Sequence, residues 1–151
     1  LLTLHVSEPI VLDRIMPKES LILTNDVRQV SLLGDFVKST AAKWHLSASL
    51  AGQLRLAMEE AVVNVMEYAY PDGVQGTIEI ELFKDGQCIS VVISDEGTVF
   101  DPTHVMSADT TLTAEDRPIG GLGISLIREL VDEMSYERLR NKNILTLKKK
   151  L

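Results

Sequence analysis

Thr77-Ile78-Glu79-Ile80-Glu81-Leu82-Phe83 and Cys88-Ile89-Ser90-Val91-Val92-Ile93-Ser94-Asp95 are two runs joined by Lys84-Asp85-Gly86-Gln87. Ile78, Ile80 and Leu82, then Ile89, Val91 and Ile93, recur with a period of two, the spacing that sends successive side chains to opposite faces of a strand. The joining residues are turn formers, so the pair predicts a hairpin with one apolar face. That face needs a cover, and the residues upstream supply it.

Upstream, Ser47 is a good cap for a helix that reaches Tyr70 and is stopped by Pro71-Asp72-Gly73. Its apolar stripe is Leu50, Leu54, Met58, Ala61, Val65 and Tyr68 or Ala69. His45 and Leu46 break it from an earlier helix, expected from an Asn25 cap to about Trp44, with Val27, Val30, Leu33, Val37 and Ala41 facing inward. Before that, Leu21, Ile22 and Leu23 form a short strand. Residues 1–19, interrupted by Pro9 and Pro17, read as an extended lead-in, and 20–151 as the domain itself.

Downstream, the chain turns polar and aperiodic from Gly97 to Ile119, the length and composition of a lid or binding loop. Gly120 and Gly121 open a third helix, expected from Leu122 to about Met134. A last hairpin is expected to pair Tyr136 to Arg140 with Ile144 to Lys149 around Asn141-Lys142. Helices and antiparallel strands segregate along this order, so the predicted class is α+β: a two-layer sandwich of a mostly antiparallel sheet and helices.

Composition narrows the function. With 45% apolar residues, 151 residues suffice for one sizeable core. Fifteen Lys and Arg against 22 Asp and Glu give a formal charge of -7, which repels a phosphate backbone; Lys148, Lys149 and Lys150 read as a solvated strand end, so no nucleic-acid partner is expected. One cysteine, Cys88, excludes an internal disulfide and fits a reducing compartment. No apolar run approaches the ~18 residues of a membrane span, and the first residues lack a leader pattern, so a soluble cytoplasmic protein without membrane partners is expected.

Three clusters carry possible chemistry. Glu60 and Asn64, four residues apart, share one face of the second helix on the flank of its apolar stripe. A carboxylate there can take a proton from a hydroxyl and an amide oxygen can ligate Mg²⁺, although taken alone the pair reads as a solvated polar strip. Asp95-Glu96-Gly97 ends a buried strand, where an aspartate can accept from an exocyclic amine and a glycine admits a flat base; alone it reads as a turn. In Arg117-Pro118-Ile119-Gly120-Gly121-Leu122-Gly123-Ile124, glycines crowd a helix N-terminus, whose free N–H groups and dipole suit phosphates, with Arg117 placed to add a charge-assisted contact. The bland reading is a hinge. The pattern is neither a Walker A loop nor a dinucleotide fingerprint.

Glu-x-x-x-Asn, Asp-x-Gly, a lid and Gly-x-Gly, in that order, resemble the GHKL superfamily of ATP-binding domains, whose Bergerat fold is the α+β sandwich expected above. Within it the chain is most similar to bacterial anti-sigma-factor serine/threonine kinases, through Glu67-Tyr68-Ala69-Tyr70-Pro71, Phe100-Asp101-Pro102 and Val131-Asp132-Glu133-Met134-Ser135-Tyr136-Glu137, over about Ser20 to Leu151. The resemblance implies that Glu60 is the general base, that Asn64 binds Mg²⁺, and that Asp95 reads adenine in a pocket shaped by Gly97 and supported by Thr146. It further implies that Arg117, Gly120, Gly121, Leu122 and Gly123 hold the phosphates of ATP under a lid from Asp101 to Ile119. Two departures stand out: Val99 replaces a second glycine after Asp-x-Gly, and Arg117 is the lid's only lysine or arginine.

By this resemblance the function is transfer of the ATP γ-phosphoryl to a serine or threonine of a STAS-type antagonist, with a sigma-like factor as second partner and a homodimer as the implied assembly. Arg28 on the first helix is the expected part of the partner surface. The alternatives are a non-catalytic ATP-gated switch, which needs Asn64 but not Glu60, and a related fold without ATP. A histidine kinase is disfavoured because His5, His45 and His104 lie on no phosphoacceptor helix.

Overall fold

Ile78, Ile80, Leu82, Ile89, Val91 and Ile93 are all buried in the computed structural model, which describes residues 16–104 and 121–151. Their strands, β2 (Thr77–Lys84) and β3 (Cys88–Asp95), pair antiparallel with Ile80 opposite Ile93 and Leu82 opposite Val91. Three further strands extend the sheet: β1 (Lys18–Thr24), β4 (Glu133–Leu139) and β5 (Lys142–Lys150). The order is β1-β2-β3-β5-β4 with every neighbour antiparallel. β5 therefore sits in the interior of the sheet, against β3.

One face of this sheet carries the core. Leu23 of β1 and Leu145 and Leu147 of β5 join the β2 and β3 residues there, beneath α1 (Leu32–Trp44), α2 (Ala48–Tyr68) and α3 (Gly121–Leu130). α1 contributes Leu33, Val37 and Trp44, α2 contributes Leu54, Met58, Ala61, Val62 and Val65, and α3 contributes Ile124 and Ile127. The opposite face holds polar and half-buried side chains, with Ile22 66% exposed. This is the two-layer α+β sandwich that the alternation predicts. Among the described residues no helix is long and apolar enough to cross a membrane.

Several boundaries differ from the sequence expectation. Asp26, not Asn25, is the first cap: its carboxylate accepts from Arg28 N–H at 2.9 Å and starts a 3-10 turn, Val27–Ser31, that runs into α1. Asn25 is held elsewhere, donating to Val74 O at 2.6 Å and accepting from Gly76 N–H at 3.1 Å. Val27 is consequently 65% exposed rather than part of the inward stripe. Helix α3 stops at Leu130 because β5 needs an outer partner: Asp132 N–H donates to Lys148 O at 2.8 Å, and Met134 then pairs with Leu147. The last hairpin thus begins at Glu133. The break between α1 and α2 is as expected, with His45 in the left-handed region at φ 54° and Ser47 Oγ accepting from Leu50 N–H at 3.1 Å.

Tyr70, just past α2, links this frame to the end of β3. Its buried hydroxyl donates to Thr77 O at 2.8 Å and accepts from Glu96 N–H at 3.2 Å. The ring lies so close to Gly76 that a Cβ there would overlap it. Gly76→Ala should therefore lower stability by about 1–3 kcal/mol, the usual cost of overpacking, read as a lower urea midpoint. An unchanged midpoint would show that Tyr70 is free to move aside.

Candidate functional site

Twenty-one residues of α2 are amphipathic, and its buried row includes one polar side chain, Asn64, at 5% exposure. Glu60, one turn earlier, is half-buried. The strip expected on the flank is covered because α3 packs against α2. Gly123 is the point of closest approach: a Cβ there would stand 2.8 Å from Glu60 Oε2 and 3.5 Å from Asn64 Nδ2. The structure thus brings the first and third clusters together at the first turn of α3, where backbone N–H groups lack helical partners.

The Asn64 amide has an incomplete environment. Nδ2 is buried and has no hydrogen-bond partner among the described residues. A buried donor left unpaired costs about 1–3 kcal/mol, so such a group is one that a ligand completes. As placed it can donate to a phosphate oxygen; turned over, it presents a neutral oxygen suited to Mg²⁺. Both orientations fit a nucleotide–metal complex beside Glu60.

Asp95 lines an apolar cleft together with Asn64, Ala61, Val65, Ile93, Ile124 and Leu145. It is 3% exposed. Burial pushes its carboxyl above the ordinary aspartate range, against the opposing effects of the Asn143 amide, the Gly97 N–H and the Arg138 guanidinium. Gly97 N–H donates to Asp95 Oδ1 at 2.9 Å, while a Cβ on Gly97 would run into the Ala69 carbonyl. That carbonyl accepts from Thr98 N–H at 2.7 Å. Gly97 is therefore glycine because the strand end passes directly against the end of α2. Phe100 closes this side, its ring 5.2 Å from that of Tyr68.

Thr146 is not brought to Asp95. It pairs with Val92 and Ser135, on the sheet face away from the helices. The β5 residue opposite Asp95 is Asn143, whose Nδ2 donates to Asp95 Oδ1 at 2.9 Å. Asn143, Tyr136 and Arg138 form a polar group at this wall that sequence reasoning missed. A signal was present: Asn143 shares the period of two with Leu145 and Leu147, so it is a polar residue at a core-facing position. Gly121 is the first residue of α3 and Leu122 lies in its first turn. Arg117, Gly120 and the lid beyond His104 lie outside the described residues; at the lid's start, Asp101 Oδ1 accepts from Thr103 N–H at 2.8 Å and Arg128 donates to Thr103 O at 2.7 Å.

The family model for the histidine kinase-like ATPase domain matches residues 23–149. The serine/threonine-protein kinase BtrW of Bordetella bronchiseptica is 33% identical over 101 residues, covering 67% of this chain and 71% of that protein. The serine-protein kinase RsbW of Listeria monocytogenes is 33% identical over 85 residues, covering 54% of each chain, and RsbW of Bacillus subtilis is 27% identical over 96 residues, covering 56% and 55%. The matches therefore span about half the length of the RsbW relatives.

Two outcomes follow from the geometry. Burial raises the Asp95 pKa above the 3.8 of an ordinary aspartate, so the folded chain holds this proton more tightly than the unfolded one. Its contribution to stability is then fully present below the ordinary value and is lost as pH rises through the folded value. Asp95→Asn removes that loss while keeping an acceptor for Gly97 N–H, so its thermal midpoint at neutral pH should equal or exceed that of the parent; a lower midpoint would show that the charge itself stabilises the fold. At Gly123 the clash is with the flexible end of Glu60, so Gly123→Ala should remain folded by circular dichroism. A melted helix signal would contradict this.

Proposed function

The chain belongs to the family of histidine kinase-like ATPase domains, and on that premise we propose that it is a serine/threonine protein kinase that moves the γ-phosphoryl of MgATP to a small STAS-type antagonist. The observation that carries this reading is the meeting of Gly123 with Glu60 and Asn64. A carboxylate, an unsatisfied amide and a helix N-terminus meet there around one point, and Asp95 lines the same cleft as Asn64. Relatives named as serine or serine/threonine kinases support the same chemistry.

In this reading Asp95 accepts from the exocyclic amine of adenine and the apolar walls hold the base. The first-turn amides of α3, with Gly120, Gly121, Leu122 and Gly123, face the phosphates, and Arg117 adds a cation. Asn64 would hold Mg²⁺, which neutralises charge on the phosphates. Glu60 accepts the proton of the attacking serine or threonine hydroxyl, and positioning and charge neutralisation account for most of the rate. A sigma-like factor as second partner, a contact through Arg28, a homodimer and a cytoplasmic location complete the proposal.

Incubation with γ-labelled ATP and candidate STAS proteins from the same operon tests it. Label should appear on a partner serine or threonine. Glu60→Gln should reduce transfer by about 10²–10⁴-fold with ATP affinity nearly unchanged, whereas Asn64→Ala should weaken both. Transfer by Glu60→Gln at the parent rate would remove Glu60 as the base. ATP binding by the parent chain without transfer to any partner would instead favour an ATP-gated switch.

A further inference from the structure

Asn143 uses its whole hydrogen-bonding capacity at one point. Its Nδ2 donates to Asp95 Oδ1 at 2.9 Å and to Thr98 O at 2.8 Å, while its Oδ1 accepts from Tyr136 O–H at 2.6 Å and from Phe100 N–H at 3.3 Å. An amide has two donors and two acceptor sites, and all four are engaged. Two of the partners have fixed polarity: a backbone carbonyl can only accept and a backbone N–H can only donate. They settle which way the amide points, because turning it over would set donor against donor at Phe100 and acceptor against acceptor at Thr98.

The consequence falls on Asp95. Both bonds it receives, from Asn143 and from Gly97 N–H, end on Oδ1, so among the described residues Oδ2 is the oxygen left for a ligand in the cleft. We infer that Asn143, with its amide orientation set by Thr98 O and Phe100 N–H and its Oδ1 held further by the Tyr136 hydroxyl, is a positioning residue that turns Oδ2 of Asp95 into the cleft and thereby selects a purine with an exocyclic amine over one without it. The inference rests on the reading of Asp95 as the contact to the base. The two residues come from β4 and β5, remote in sequence from Asp-x-Gly, and nothing in that motif would locate them.

The test compares affinity for ATP with affinity for purine riboside 5′-triphosphate, the same nucleotide without its 6-amino group, measured by calorimetry on the full chain. The parent should prefer ATP by about tenfold or more, the effect of one good buried hydrogen bond to a charged group. In Asn143→Ala that preference should fall to within about threefold, through loss of ATP affinity with little change for the analogue. Tyr136→Phe, which removes a single hydroxyl and decides the matter if Asn143→Ala does not fold, should move the ratio the same way by a smaller factor.

Asp95→Asn separates the two levels of the argument. If it keeps the preference for ATP, the reading of Asp95 itself fails. If it loses the preference while Asn143→Ala and Tyr136→Phe both keep it, Asp95 reads the base without their help and the inference is overturned. Equal weakening of both nucleotides in the Asn143 and Tyr136 variants would also overturn it, since that is the mark of a general structural role. Full preference in Tyr136→Phe alone would remove Tyr136 from the device and leave Asn143.

Discussion

A carboxylate buried to 3% exposure is costly unless the protein satisfies it, and the end of β3 is organised around that requirement at Asp95. The Asn143 amide and the Gly97 N–H converge on one of its oxygens. The same amide ties down Thr98 and Phe100, so the chain leaving β3 is stitched to β5 as far as the cleft wall. Arg138 of β4 donates to Gly97 O at 2.9 Å, and from the end of α2 Tyr70 O–H receives Glu96 N–H and the Ala69 carbonyl receives Thr98 N–H. The five residues of irregular backbone that follow Asp95, 96–100, are thus held by β4, β5 and the end of α2 together. A polar network of this kind is stable because its members are mutually satisfied; losing one leaves others unpaired at depth.

Helix α2 connects that wall to the pair Glu60 and Asn64. It carries Glu60 and Asn64 along its length and ends at the Ala69 carbonyl against which Gly97 and Thr98 rest. At 1.5 Å per residue, the nine positions from Glu60 to Ala69 amount to about 14 Å of nearly rigid spacer. The separation of the Asp95 wall from the Glu60 carboxylate is therefore set largely by one helix packed on the core through Leu54, Met58, Ala61 and Val65. The two ends differ in character. At Asp95 the protein satisfies one carboxylate oxygen, Oδ1, from its own groups, while at Asn64 it leaves a buried donor open beside the first turn of α3.

Much of this was legible in the residues because the period of two in β2 and β3 and the caps and stops around α2 are local signals. The Glu60, Asp95 and Gly123 clusters were also visible, but only as three separate weak patterns. What joined them was tertiary: α3 lying on α2 turned a polar strip into a covered site. Parity and partner are less legible. A last strand read from Ile144 leaves Asn143 out of the inward row, and Thr146, which the resemblance implies, faces the other way. Asn25 is as good a cap as Asp26 by type, and only its bonds to Val74 and Gly76 show that it is occupied elsewhere. Glu133 and Met134 read as the tail of a helix, and only the pairing with β5 shows that they open the strand.

The central claim is that the cleft between Asp95 and Asn64 is a nucleotide site completed by Mg²⁺. Calorimetric titration of the parent chain with ATP, run with Mg²⁺ and again with the metal chelated, addresses it without reference to any partner protein. Saturable heat with one nucleotide per chain and tighter binding in the presence of Mg²⁺ is the expected result. Absence of saturable binding at millimolar nucleotide under both conditions would contradict the account.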